Sequence, residues 1–231
     1  MGQRKFFKLR LGQGAHARTV TVTRDEEADS IRNRLRLAQS EYIIALHAGA
    51  GGSADDMIER LDPIFREHLA PFATKHRIPI IDGGTTSGFV GMMGRARAAT
   101  HGTFPLIGVM PLANAPIDSS EADAEKAELE HNHTHLVLVK GGAFGVESEV
   151  FVRLARALGR RPVALIINGG EIVRHEARLS ASLGTPILVL EGSGRLADEL
   201  IDAVKRGTNN EMLRATIEEG IIHSCTPDTL I

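Results

Sequence analysis

The feature that most restricts the fold is a rhythm. Short apolar runs recur at Tyr42–His47, Ile78–Ile81, Pro105–Met110, His135–Val139, Val163–Ile167 and Ile187–Leu190. They are continuous rather than alternating, the pattern of parallel strands covered on both faces. Helical spacing fills most of the gaps. Met57, Leu61, Ile64, Phe65, Leu69 and Phe72 share one face over Asp55–Lys75, and Val150, Leu154, Ala157 and Leu158 do so over Gly145–Leu158. Ile172–Leu183 and Leu196–Val204 follow the same period. Strand alternating with helix predicts an α/β fold: a doubly wound, mainly parallel sheet with right-handed crossovers and helices on both faces.

Before the rhythm starts, Phe6–Leu11 and Arg18–Thr23 flank Gly12-Gln13-Gly14 and predict an N-terminal β-hairpin within residues 1–24. Asp25 is placed to cap a helix reaching about Gln39, with Glu26 and Glu27 in its first turn. Pro111–Glu130 is polar and acidic and reads as a loop with a short helix. Residues 207–231 hold one more helix, Asn210–Glu219, and a tail; that helix is a candidate contact for a homo-oligomer. No linker rich in Pro, Gly or Ser divides the chain, so residues 1–231 read as one domain.

The placement of the glycines points to chemistry. Strand runs lead into Gly49-Ala50-Gly51-Gly52-Ser53, Asp82-Gly83-Gly84-Thr85-Thr86-Ser87-Gly88, Gly141-Gly142-Ala143-Phe144-Gly145, Asn168-Gly169-Gly170-Glu171 and Glu191-Gly192-Ser193-Gly194-Arg195. Parallel strands put all of these turns on one edge of the sheet, where ligands of open α/β sheets bind. Glycine lets the backbone approach a ligand closely, and each following helix offers N–H groups and a positive dipole end to an anion. The hydroxyls of Ser53, Thr85, Thr86, Ser87 and Ser193 are further donors. Together these describe a phosphate cradle beside a sugar or base pocket. The P-loop spacing is absent, and Ala54 stands where the third glycine of Gly-x-Gly-x-x-Gly belongs, which disfavours ordinary ATPase and dehydrogenase readings.

Composition removes other classes. Lys plus Arg number 27 against 29 Asp plus Glu, which leaves no electrostatic footprint for duplex nucleic acid. Aromatics are 4% and tryptophan is absent, so base-stacking platforms are not expected. No apolar run approaches the roughly 20 residues of a membrane helix, and Met1–Leu11 is too short and basic for a signal peptide. The single cysteine, Cys225, excludes an intramolecular disulfide and fits a reducing, cytoplasmic location.

The run Asp82–Gly88 followed by Val90-Gly91-Met92-Met93-Gly94 resembles the Gly-rich segment of the SLOG superfamily, which includes the LOG proteins (long labelled lysine decarboxylase-like) and the DprA-like proteins. Asn132–Val139, Asn168–Glu171 and Glu191–Asp198 extend the likeness, which is nearest to the prokaryotic LSDAT-type branch akin to the cytosolic N-terminal region of TRPM channels. The resemblance covers Ile43–Val204. It implies a Rossmann-like fold that binds a nucleotide or nucleotide-derived ligand, ADP-ribose- or NAD-like, as a sensor with no required cofactor. LOG enzymes instead cleave nucleoside 5′-monophosphates between base and ribose phosphate, through Pro-Gly-Gly-x-Gly-Thr-x-x-Glu and an upstream Arg-Lys pair. Here Lys140 replaces that proline, Val146 replaces the threonine, one residue is inserted, and no Arg-Lys pair occurs between Met110 and His135. The LOG pattern selects Glu149 as the working carboxylate, and the TRPM-like pattern selects Glu147. A phosphoribohydrolase is therefore the alternative to a sensor, and an assembly module with a vestigial pocket is the third reading.

Single residues sharpen these expectations. Arg195 at a helix start opposes the dipole, which a bound phosphate or carboxylate offsets; Asp198 is placed to pair with it or to cap. His131, His133 and His135 alternate in a way that suggests zinc, but they precede a strand and lie away from the glycine edge, so capping and loop packing are expected and no metal. His47 reads as a satisfied core histidine, Arg95 and Arg97 as a solvated helix face, and Cys225 as part of a polar tail.

Overall fold

The structure, a computed structural model, describes residues 6–11, 15–49, 55–117 and 127–229, with 55 and 56 described by their backbone alone. Its sheet contains β1 Phe7–Arg10, β2 His16–Val22, β3 Ser40–Ala48, β4 Ile80–Asp82, β5 Leu106–Pro111, β6 His135–Val139, β7 Gly159–Ile167, β8 Ile187–Leu190 and β9 Ile222–Cys225. The spatial order is β1-β2-β6-β5-β4-β3-β7-β8-β9. The β1–β2 pair is antiparallel, and every other neighbouring pair is parallel. This is the expected doubly wound, Rossmann-like α/β fold with its N-terminal hairpin, whose turn at 12–14 lies outside the described residues.

Helices cover both faces because the buried strands are apolar on both. On one face, α1 (Ala28–Leu35) and α5 (Ser148–Leu158) pack on Ile43, Ala45, Ile81 and Val137, while α6 (Glu171–Ser182), α7 (Arg195–Arg206) and α8 (Glu211–Glu219) cover Ala164, Ile166, Ile187 and Val189. On the other face, α2 (Asp55–Ile64), α3 (Ala70–His76) and α4 (Gly88–Ala99) bury Phe65, Phe89, Met92 and Met93 against Leu46, Ile80, Leu106 and Leu165. A fully buried Leu or Phe contributes about 1.5–3 kcal/mol, so these layers carry the fold.

Several elements differ from the sequence expectation. α1 begins after Glu27 and stops at Arg36, whose left-handed φ of 59° ends the helix; Asp25 and Gln39 fall outside it. The helix expected over Asp55–Lys75 is α2 and α3 joined by a π-turn at Phe65–Leu69. Pro63 and Pro71 offer no amide proton, and the Ala70 N–H bonds back to Phe65. In the link 111–130, Leu112–Asn114 forms a short 3-10 turn and residues 118–126 lie outside the described residues. Cys225 sits buried on β9, a strand that the polar run Ile222-His223-Ser224-Cys225 does not announce.

Strand β4 is only three residues long. Its turn therefore starts low on the sheet and folds across β5 at Gly108, the cross-strand neighbour of Asp82. A Cβ on Gly108 would stand 2.7 Å from Gly84 Cα and 2.8 Å from Leu136 Cδ2. Gly108→Ala is expected to cost about 1–3 kcal/mol through this overpacking, measured as a shift in the urea midpoint at unchanged m-value.

Candidate functional site

The chain leaves β3 and β7 toward opposite faces although these strands are neighbours. A crevice opens above such a switch point because no crossover spans it. The structure has a cavity of about 520 Å³ there, walled by residues from the ends of β3, β4, β5 and β7 and from α4, α5, α6 and α7.

The expected site residues divide. Gly49, Gly83, Thr85, Glu147, Gly170, Glu171 and Arg195 line the cavity. Gly84, Thr86, Ser87, Gly88, Gly141, Gly142, Gly145, Gly169, Gly192, Ser193 and Gly194 belong to the same turns without lining it, and Gly51, Gly52 and Ser53 lie outside the described residues. Glu149 is half exposed and pairs with Arg24 at 3.4 Å, so of the two candidate carboxylates it is Glu147 that reaches the cavity.

Hydrogen bonding separates the turns further. The Gly49 N–H bonds the Ile167 carbonyl, Gly84 N–H the Asp82 carboxylate at 2.8 Å, and Gly169 N–H the Asn168 side chain at 2.8 Å. Asp198 caps α7 by accepting from Gly192 N–H at 2.7 Å and Gly194 N–H at 3.0 Å, and Ser193 Oγ accepts from Asn168 N–H and donates to the Leu190 carbonyl. These amides fold their own turns. The start of α6 is different: Gly170 is its N-cap, has no capping side chain, and lines the cavity with Glu171, Ile172 and Val173. The first-turn amides of a helix have no partner within it. Arg195 lies over this helix start, so closely that a Cβ on Gly170 would collide with its guanidinium. Arg195 also has a left-handed φ of 49°, a strained setting for a long side chain. An uncapped helix N-terminus beside a guanidinium suits an anion by charge and by donor geometry.

The rest of the lining includes the apolar Val90, Val109 and Phe151 and the buried carboxyls of Glu147 and Glu176. Glu147 is 6% exposed, and its Oε2 accepts from Gly145 N–H at 2.8 Å. Burial, with the nearby Glu176 charge, pushes its pKa up to about 7. Glu176 is itself tied down: Oε2 meets His47 Nδ1 at 2.9 Å and Oε1 accepts from Ser148 Oγ at 3.0 Å. His47 is a satisfied core histidine tilted against Phe151 at 4.9 Å. Ser180 Oγ lies 3.5 Å from His47 Nε2, a serine–histidine–carboxylate string, but Ser180 is 1% exposed and is not at the cavity wall. Sequence reasoning missed Glu176; its signal is a carboxylate on the buried stripe of α6 with Val173, Ala177 and Ser180.

The β4 turn is held from the side. His133 is fully buried between Asp82 Oδ1, 2.8 Å from Nε2, and Glu130 Oε2, 3.0 Å from Nδ1. Burial disfavours its charge, but the two carboxylates prevail and raise its pKa to about 10. Glu130 also accepts from Asn132 N–H at 2.8 Å and fills the space that a side chain on Gly94 would take. Neither partner of His133 was assigned from sequence. The ring reaches Asp82 because β5 carries glycine at position 108 between them. Among the described residues, no group of three His, Cys, Asp or Glu is arranged to hold a metal.

Two pH effects follow. Glu147 titrates at about 7 in the fold against 4.5 unfolded, so it lowers stability as pH rises from 4.5 to 7. Glu147→Gln is expected to remove that slope and to be more stable than the parent above pH 7 by roughly 1–3 kcal/mol, read from denaturant melts across pH. The His133 contribution is complete below pH 6.5 and lost as pH climbs through about 10. His133→Ala leaves two carboxylates facing each other and is expected to cost about 3–5 kcal/mol at neutral pH.

The chain is 26% identical over 187 residues to the transient receptor potential cation channel subfamily M member 2 of Mus musculus, and equally to that of Rattus norvegicus. Each match covers 64% of this chain and 12% of the channel, so the chain spans about an eighth of those relatives. Among the described residues, no helix is long and apolar enough to cross a membrane. Residues 41–231 match the family described as "SLOG in TRPM, prokaryote", and the chain belongs to that family.

Proposed function

We propose that this protein binds a nucleotide or nucleotide-derived ligand of the ADP-ribose or NAD type and acts as a sensor of it. A phosphate sits at the start of α6, where the amides of Gly170, Glu171 and Ile172 and the Arg195 guanidinium converge. The nucleoside part extends across the carboxyl ends of β3 and β4 between Val90, Val109 and Phe151, with Glu147 as acceptor or donor for a sugar hydroxyl. The observation that carries this reading is a single one: at the switch point, an uncapped helix start, an arginine and a buried carboxyl near its titration point share one cavity of about 520 Å³. The thiol of Cys225 is buried and raised above its usual pKa by desolvation, which suits a packing residue rather than a nucleophile.

Glu147 favours a second reading. A carboxyl of pKa about 7 in a cleft suits proton transfer or stabilisation of an oxocarbenium-like centre, as cleavage of the N-glycosidic bond of a nucleoside 5′-monophosphate requires. Chromatography of AMP incubated with the protein separates the two: free base marks the hydrolase, intact AMP the sensor.

Calorimetric titration with ADP-ribose, NAD and AMP tests the main reading. Saturable binding is expected, and Arg195→Ala is expected to weaken it by about 1.5–3 kcal/mol, the scale of a charged hydrogen bond. Equal affinity in both proteins removes Arg195 from the phosphate site, and no binding to any of the ligands leaves the assembly module as the surviving reading.

A further inference from the structure

The turn between β4 and α4 is held by several hydrogen bonds. Asp82 Oδ1 accepts from Gly84 N–H, the Gly84 carbonyl accepts from Glu130 N–H, and the Thr86 amide and hydroxyl bond the Glu128 carbonyl and carboxylate. Two oxygens, both sealed from solvent, have no hydrogen-bond partner: Asp82 Oδ2 and Thr85 Oγ1. The first belongs to a carboxylate whose charge His133 already balances. The second has no such account. Thr85 is 4% exposed, lines the cavity, and is pinned between Gly84 and Thr86 by the bonds just named, with an isolated β-bridge to Leu129.

A buried hydroxyl without a partner costs roughly 1–3 kcal/mol, and valine would occupy the same volume without that cost. The turn cannot relax to satisfy the hydroxyl, because its backbone is bonded on both sides. Rotation about the Cα–Cβ bond is the freedom left, and a turn of the side chain brings the hydroxyl to the cavity that Thr85 lines. Thr85 follows β4 and Gly170 follows β7, with β3 between them. Two strand spacings are roughly 10 Å, the span from a 5′-phosphate across its ribose to the base.

We propose that Thr85 is the specificity-determining residue of the cavity, its hydroxyl exchanging a hydrogen bond with an uncharged polar group on the nucleoside part of the ligand. The proposal rests on the nucleotide reading above and adds to it a division of labour: α6 and Arg195 hold the phosphate, and Thr85 recognises what the phosphate carries. A hydroxyl with no partner in its sealed position gains one by turning to the ligand, which discriminates against ligands that cannot pair it.

The test compares the parent with Thr85→Val and Thr85→Ser, using AMP and inorganic phosphate as probes and the melting temperature of the ligand-free protein as a third readout. Thr85→Val is expected to bind AMP about tenfold more weakly, to bind phosphate as the parent does, and to melt no lower than the parent without ligand. Thr85→Ser is expected to keep AMP affinity within about twofold, since it keeps the hydroxyl. Parental AMP affinity in Thr85→Val overturns the proposal while leaving the nucleotide reading intact. So does a lower melting temperature of that variant without ligand, which would place the hydroxyl in the protein's own bonding. A parent that binds phosphate but not AMP overturns this proposal, and one that binds none of AMP, ADP-ribose and NAD overturns the nucleotide reading with it.

Discussion

Strands β3 and β7 run side by side from the pair Ser40–Gly159 to the pair Ala48–Ile167, and the chain departs from their ends in opposite directions. α2 packs on the face of Leu46 and Leu165, and α6 on the face of Ala164 and Ile166. Two packed layers diverging from one seam leave a gap above it that neither layer can fill, and the cavity is that gap. Its floor must be small. Gly49 meets this need: a Cβ there would stand 2.7 Å from Asn168 Oδ1. The remaining features of the site follow from which helix starts and side chains border the gap.

Both walls of the gap are braced by a buried histidine–carboxylate contact. On one face, His47 and Glu176 tie the end of β3 to the middle of α6, and Ser148 joins the start of α5 to the same carboxylate. On the other, His133 ties Asp82 at the end of β4 to Glu130. Buried polar pairs of this kind are a poor source of stability compared with apolar packing, and removal of one partner is costly. Their value here is positional. They brace the chain next to Glu147 through Ser148, and next to Thr85 through Asp82 and Gly84.

The fold was largely legible because its signal is local and repeated. Continuous apolar runs such as His135–Val139 and Ile187–Leu190 coincide with β6 and β8, and the apolar stripes of α5, α6 and α7 were all readable from spacing. What local pattern could not supply were departures set by the backbone or by distant partners: the left-handed residue that stops α1 at Arg36, the π-turn between two prolines, and β9, an edge strand with little apolar content. The site was legible in part. The glycine clusters mark the edge of the sheet at which the cavity opens, and Gly49, Gly83, Gly170 and Arg195 line it. The expectation that each cluster points unpaired amides at a ligand does not hold for every turn, since Gly84, Gly169, Gly192 and Gly194 bond to nearby side chains. Only the tertiary structure shows that Asp198 spends its carboxylate on the α7 cap, or that His133 lies beside Asp82, 51 residues away in sequence. Sequence patterns give residue type and period; they do not give which donor is already bonded.

In the proposed binding mode one helix start, that of α6, receives the ligand's phosphate. Backbone amide NMR of the labelled protein titrated with ADP-ribose is the decisive experiment. The largest shifts are expected at the amides of Gly170, Glu171 and Ile172, with Gly192 and Gly194 little changed because Asp198 already holds them. Shifts centred on Gly192 and Gly194, or none along residues 170–173, would contradict it.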